Sequence, residues 1–248
     1  MVSIGIGWLI YTPPGILSKL DAIGYAVCHQ ISTRSFHMHD HQFPLCARCT
    51  GMYLGAITAI VYQLTRGKKA GFPSKKILVI LAIFALFFVI DGSNSYLHFF
   101  PQAPHLYTSQ NWLRLLTGGG IGLGIGAMVL PIFRQTMWAN WNPEPVISTW
   151  KDVFILVGAL LLIVAITLFE FDWILYPFAF ITIGTVLLVL GMVYTLVWTM
   201  LLKMENQYRS IREAWFPLFM GLGVAILQIF LLDVARFALT GTWQGFSL

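Results

Sequence analysis

The residues able to do chemistry are concentrated between Cys28 and Thr50, in CHQISTRSFHMHDHQFPLCARCT. This stretch holds all three cysteines and four of the six histidines of the chain. Cys46-Ala-Arg-Cys49 is a CxxC, Cys28-His29 lies upstream, and His37, His39, Asp40 and His41 fall between. Thiolate and imidazole are the ligands that zinc prefers, and a CxxC is short enough to grip one ion with both sulfurs. A structural zinc site takes about four ligands. Cys28, Cys46 and Cys49 supply three, leaving the fourth to His29 or to one of His37, His39 and His41. Pro44 favours a helix start just after it, which puts Cys46 and Cys49 on one face of the first turn. The helix N-terminus and Arg48 then favour thiolate, which serves metal binding and disulfide exchange alike.

Three readings follow. The preferred one is a metal site, with zinc as the ion. Its rival is redox: a thiol–disulfide oxidoreductase whose CxxC and third cysteine relay electrons to a membrane quinone or a protein. The plainest is a static disulfide plus one free thiol. In HMHDH an extended strand would point His37, His39 and His41 the same way, to complete the site or bind a second ion; a solvated histidine-rich loop is the ordinary alternative.

The elements that must position these residues are membrane spans. Of 248 residues 58% are hydrophobic and 10% charged, far below the quarter charged that is usual in soluble domains. The net charge of +5 is therefore read by its placement and not as a nucleic-acid footprint; no nucleic-acid partner is expected. The expectation is a single all-α membrane domain, 1–248, built as a polytopic bundle of six to seven transmembrane helices. Six spans are firm: about 45–65, 77–100, 111–133, 152–170, 174–202 and 216–239. Residues 1–27 form either a kinked span, preferred here, or an interfacial helix, because Pro13-Pro14 interrupts a short apolar opening. The N-terminus shows neither a basic n-region nor a cleavage site and is expected to be retained.

Loop charge gives the orientation. Arg66, Lys68, Lys69, Lys75 and Lys76 fill the first loop, Arg134 and Lys151 flank the third, and Lys203, Arg209 and Arg212 fill the fifth. The loops at 101–110 and 170–173 and the tail 240–248 carry no Lys or Arg. The positive-inside rule then makes the odd loops cytoplasmic and puts the 28–49 cluster on the non-cytoplasmic side of a cell membrane. Trp112, Trp173 and Trp243 mark the outer interface; Trp138, Trp141, Trp150, Trp198 and Trp215 mark the inner one.

Polar residues inside spans cost about 2.5–3.5 kcal/mol when charged, so each needs a reason. Asp91, Asn94 and His98 share one face of the second firm span, and Asn111, Arg114 and Thr117 share one face of the third. Both sets lie at the depth expected for the cysteines. Asp91–Arg114 is the expected charge pair, with Asp91 a candidate base, Arg114 or Arg48 an anion clamp, and Asn94, His98, Asn111 and Thr117 lining a cavity. Asp233 and Arg236 in the last span are read as structural, with Arg236 reaching towards the interface. Gly118, Gly122 and Gly126, four apart, are expected to let helices approach closely.

The motifs CHQ at Cys28, RSF at Arg34, PLCARCTGMYLG from Pro44, IDG at Ile90 and SQNWLRLLTG ending at Gly118 resemble a family of prokaryotic membrane proteins, domain of unknown function 2085. The resemblance covers about residues 16–130. It implies that Cys28, His29, Gln30, Arg34, Cys46, Arg48, Cys49, Asp91, Asn111, Arg114 and Thr117 belong to the family motifs, and it implies no activity. The chain departs from the pattern at Ser93-Asn94-Ser95, where a Gln is common, and in its extra histidines at 37–41. The resulting expectation is a metal-binding membrane protein and candidate metal-dependent enzyme. Lipid surrounds it, and a lipid-like substrate or a membrane-protein partner is expected. The alternatives are the quinone-linked oxidoreductase and an accessory subunit of a membrane complex.

Overall fold

The computed structural model describes residues 2–245, except 101–103 and 105. Its first two helices, α1 (Val2–Tyr11) and α2 (Ile16–Val27), are separated where Pro13-Pro14 ends the first. Lys19 of α2 reaches back to the freed carbonyls, donating to Thr12 O at 2.9 Å and to Leu9 O. At 10 and 12 residues, neither helix alone crosses a bilayer.

A β-hairpin follows, β1 (Ser35–Met38) and β2 (His41–Cys46), paired Met38 to His41 and His37 to Gln42. It leads directly into α3 (Ala47–Leu64). The remaining helices are α4 (Lys75–Leu97), α5 (Asn111–Met137), α6 (Trp150–Leu168), α7 (Asp172–Leu201) and α8 (Trp215–Thr240). Near the far end of α3, β3 (Lys69–Gly71) pairs in parallel with β4 (Asn142–Pro145) and ties two basic loops together.

All six expected spans are present as helices, within a few residues of their expected limits. Among the described residues, α4 to α8 are long and apolar enough to cross a membrane. The helix expected at 45–65, α3, is not one of these five: at 18 residues it is long enough, but with Arg48 and Gln63 it is not apolar enough. Its place comes from packing. The most apolar window of α5 is 61% buried against 17% for α4, and it is α3 that lies along α5.

That packing is made by glycine. A Cβ on Gly118, Gly122 or Gly126 would lie 2.1 Å from Arg48 O, 2.0 Å from Met52 O or 2.4 Å from Ala56 O. Both series step by four residues in the same direction, so α3 and α5 run parallel with their backbones in contact. Gly51 and Gly55 of α3 answer in kind against Leu115 O and Gly119 O. On the outside of the bundle Val79, Leu86, Phe87, Phe154, Leu162 and Phe219 are exposed, as hydrocarbon contact requires.

Candidate metal and arginine centre

The start of α3 brings Cys46 and Cys49 onto one helical turn, and the end of α2 delivers Cys28 to them. The three Sγ atoms lie within 4.8 Å of one another. All three are free thiols, with Cys28 and Cys46 buried. The Cys46 amide donates to Cys28 Sγ at 3.2 Å, and the Gln30 amide approaches the same sulfur at 3.5 Å.

This placement depends on the residues just after Cys28. Gln30 has φ of 50°, a left-handed turn that reverses the chain at the end of α2. Its side chain donates to Asp21 O at 2.9 Å and to Pro44 O at 2.8 Å, joining α2 to β2. Arg236 of α8 closes the other side. Its Nη1 donates to Cys28 O at 2.6 Å and to Tyr25 O, its Nη2 to His29 O at 3.2 Å, and its guanidinium lies 3.8 Å from the Tyr25 ring. The carbonyls left open at the end of α2 thus find their donors on α8.

The structure corrects the reading of Arg236 as a residue reaching for the interface. Its neighbour Asp233 accepts from Trp8 Nε1 at 2.8 Å and anchors α1. Arg236 is the positioning residue that sequence reasoning missed. A basic side chain one turn from an intramembrane acid was a visible signal, but its target 207 residues away was not.

The thiols are not equivalent. Cys28, Cys49 and His29 all offer hydrogen bonds to Cys46. The shared hydrogen bond with Cys46 and burial push Cys28 up to about 12. His29 Nδ1 accepts from the Ile31 amide at 3.1 Å. With Nδ1 accepting, a neutral imidazole carries its proton on Nε2, where it can donate.

The histidines at 37–41 are elsewhere. The strand breaks at His39, which sits in the hairpin turn at φ 50°, so His37, His39 and His41 do not share the face of one strand. His37 Nε2 bonds Ser32 Oγ at 3.1 Å, His39 pairs with Asp172, and His41 Nε2 lies 2.9 Å from Asp21 Oδ2 in an ion-pair contact without hydrogen-bond alignment. None of the three joins the cysteine group.

Next to the thiols stands an ionic group different from the expected one. Asp91, 1% exposed, pairs with Arg48, the residue inside the CxxC, and not with Arg114. Tyr107 OH at 3.0 Å and Ser109 Oγ at 2.7 Å donate to Asp91 Oδ1, and Thr117 Oγ1 lies 3.4 Å from Oδ2. Both carboxylate oxygens are occupied, which suits a counter-ion better than a base. Arg114 Nη1 donates to Asn111 Oδ1 at 2.9 Å and Nη2 to Ser95 Oγ at 3.4 Å. Arg34 donates to Ser95 O at 3.3 Å and stacks 4.0 Å from the Phe99 ring.

Arg34 and Arg114 lie in electrostatic reach of each other, of Arg48 and of Cys46. Arg48 Nε and Arg114 Nε are buried and have no hydrogen-bond partner among the described residues. Asn94 and His98, expected to line the cavity, hold the following loop instead. Asn94 Nδ2 donates to Tyr107 O at 2.7 Å, its Oδ1 accepts from the Leu106 amide at 2.7 Å, and His98 Nε2 lies 2.9 Å from Tyr107 O.

Fold and site together define a polytopic helical membrane protein with three cysteines and three arginines gathered at one end of the bundle. The family model that matches is described as "Predicted membrane protein (DUF2085)" and covers residues 28–128, from Cys28 into α5. An uncharacterized protein of Methanothermobacter thermautotrophicus is 37% identical over 106 residues, 42% of this chain and 86% of its own length. An uncharacterized protein of Methanocaldococcus jannaschii is 31% identical over 125 residues, 50% of this chain and 74% of its own. The chain belongs to this family. No solved structure matches it. The matched family segment holds every cysteine and Arg34, Arg48, Asp91 and Arg114, whereas α6, α7 and α8 lie beyond it.

Proposed function

We propose that the protein binds one zinc ion through Cys28, Cys46 and Cys49 on the non-cytoplasmic side of the membrane, beside an arginine-lined seat for an anionic group. The observation that carries this reading is the mutual approach of the three sulfurs within 4.8 Å. Three thiolates on a divalent ion leave one negative charge, which Arg34, Arg48 and Arg114, offset by one Asp91, more than balance. The donor set is that of a zinc site lacking its fourth ligand. His29 would fill that position only by giving up its bond from the Ile31 amide, because one neutral imidazole cannot accept on both nitrogens. The position otherwise remains for water or substrate, as in catalytic zinc sites.

Zinc, when bound, supplies Lewis acidity to a water or to a carbonyl or phosphoryl oxygen. The buried Nε–H groups of Arg48 and Arg114 would receive an anionic group. Asp91 fixes Arg48 as its counter-ion. A groove of 330 Å³ between α4, α5 and α6 runs along Phe84, Phe87 and Leu161 and reaches Thr117, beside Asp91. Its apolar walls favour a lipid-like substrate arriving from the bilayer.

The second reading, a thiol relay to a quinone, is favoured by three free thiols lying within 4.8 Å of one another. Elemental analysis of detergent-purified protein together with thiol counting separates the two. About one zinc per chain, with thiols that react only after chelation, supports the metal reading. No metal, with two thiols oxidised and reducible, overturns it in favour of the relay.

A further inference from the structure

A second polar centre lies at the opposite end of the bundle, where the zinc reading assigns nothing. There the end of α3, the last turns of α5 and the segment between α7 and α8 enclose a cavity of 370 Å³. Leu130 and Phe133 form its apolar floor, Trp138 and Trp141 stand at its edge, and Lys68, Arg134 and Arg209 supply its charge. Among the described residues, no acidic side chain lines it.

The lack of compensation is local. The neighbouring cations are paired: Arg66 with Asp152 at 2.7 Å and Lys69 with Glu144 at 2.9 Å. Among the described residues, Lys68, Arg134 and Arg209 form no ion pair with a carboxylate. Arg134 is 8% exposed, and its Nη1 is fixed by Lys69 O at 2.6 Å. A guanidinium so buried without a counter-ion is unfavourable, and an anion entering the cavity would relieve it.

The surroundings select the kind of anion. The cavity combines buried apolar side chains, indoles and cations, the kinds of group that suit hydrocarbon, interface and headgroup. The loops here carry the basic excess, which on the orientation read from loop charge faces the anionic leaflet. We propose that this cavity seats the headgroup of an anionic phospholipid. Its phosphate lies against Arg134, Lys68 and Arg209, and the first carbons of its chains lie over Leu130 and Phe133. A small inorganic anion would satisfy the charges and leave the floor uncovered.

The test is native mass spectrometry of the full chain in detergent, titrated with phosphatidylglycerol or with phosphatidylcholine of the same acyl chains. Saturable binding of phosphatidylglycerol is expected, with a preference of at least about fivefold for each cation that contacts the phosphate. Lys68→Gln with Arg209→Gln changes only exposed side chains and is expected to reduce that preference about 25-fold, fivefold for each cation removed, while the protein stays folded. Equal binding of the two lipids, or an unchanged preference in the double variant, overturns the proposal. So does displacement of the lipid by millimolar inorganic phosphate, which would mark a site for free anions. The cysteines play no part in this measurement, so its result is independent of the zinc reading.

Discussion

Arg48, the residue between the two cysteines of the CxxC, makes its ion pair with Asp91 on α4, while Arg114 on α5 bonds to Asn111 and Ser95. The pair ties the start of α3 to α4 and sets the charge beside the sulfurs. A double-mutant cycle tests the assignment. Asp91→Asn and Arg48→Gln are expected to couple by more than about 1 kcal/mol, and Asp91→Asn and Arg114→Gln by less than about 0.5 kcal/mol. Denaturation in mixed micelles is the measurement, and stronger coupling to Arg114 would reverse the assignment.

Arg236 holds the carbonyls of Tyr25, Cys28 and His29, so it positions Cys28 without touching a sulfur. Arg236→Lys keeps the charge and loses the fork geometry. Zinc affinity is expected to fall about tenfold, as for other partners that orient metal ligands, with all three cysteines still reactive after chelation. Competition with a chromogenic chelator measures this, and unchanged affinity would make the clamp purely structural.

The histidines separate in the same assay. Replacing His37, His39 and His41 together by alanine is expected to leave zinc stoichiometry at one per chain and its affinity within about twofold, since their partners are Ser32, Asp172 and Asp21. His29→Ala is expected to weaken zinc about 10- to 100-fold, whether the imidazole supports Cys46 or binds the ion. Loss of zinc in the triple variant would return the fourth ligand to the hairpin.

Two glycines of α5 give a paired stability test. A methyl on Gly122 would lie 2.0 Å from Met52 O, whereas one on Gly124 meets nothing within 4 Å. Gly122→Ala is expected to cost about 1–3 kcal/mol by forcing α3 away from α5. Gly124→Ala is expected to be neutral or slightly stabilising. Thermal unfolding of both variants in one detergent compares them, and equal midpoints would show that the backbones do not touch there.

Much of this protein is legible in the sequence because it depends on near neighbours along the chain. Apolar run length gave six helices, and the spacing of Gly118, Gly122 and Gly126 gave a close helix contact. The CxxC at a helix start gave two sulfurs on one turn. The family motifs pointed to Gln30, Arg34 and Arg48 without saying what they touch. A membrane reinforces all of this, since backbone polar groups in hydrocarbon must be satisfied within the helix itself.

What only the tertiary structure decided is which polar groups meet across helices. By depth and helical periodicity Asp91 reads as the partner of Arg114; the glycine contact decides otherwise, by drawing α3 so close to α5 that Arg48 enters the group. His37, His39 and His41 read as one face until the chain turned between them. Arg236 lies far along the chain from Cys28, and α8 must fold back on α2 before the two meet. Helix formation is local and leaves its period in the sequence; partner choice depends on how closely and at what angle the helices pack.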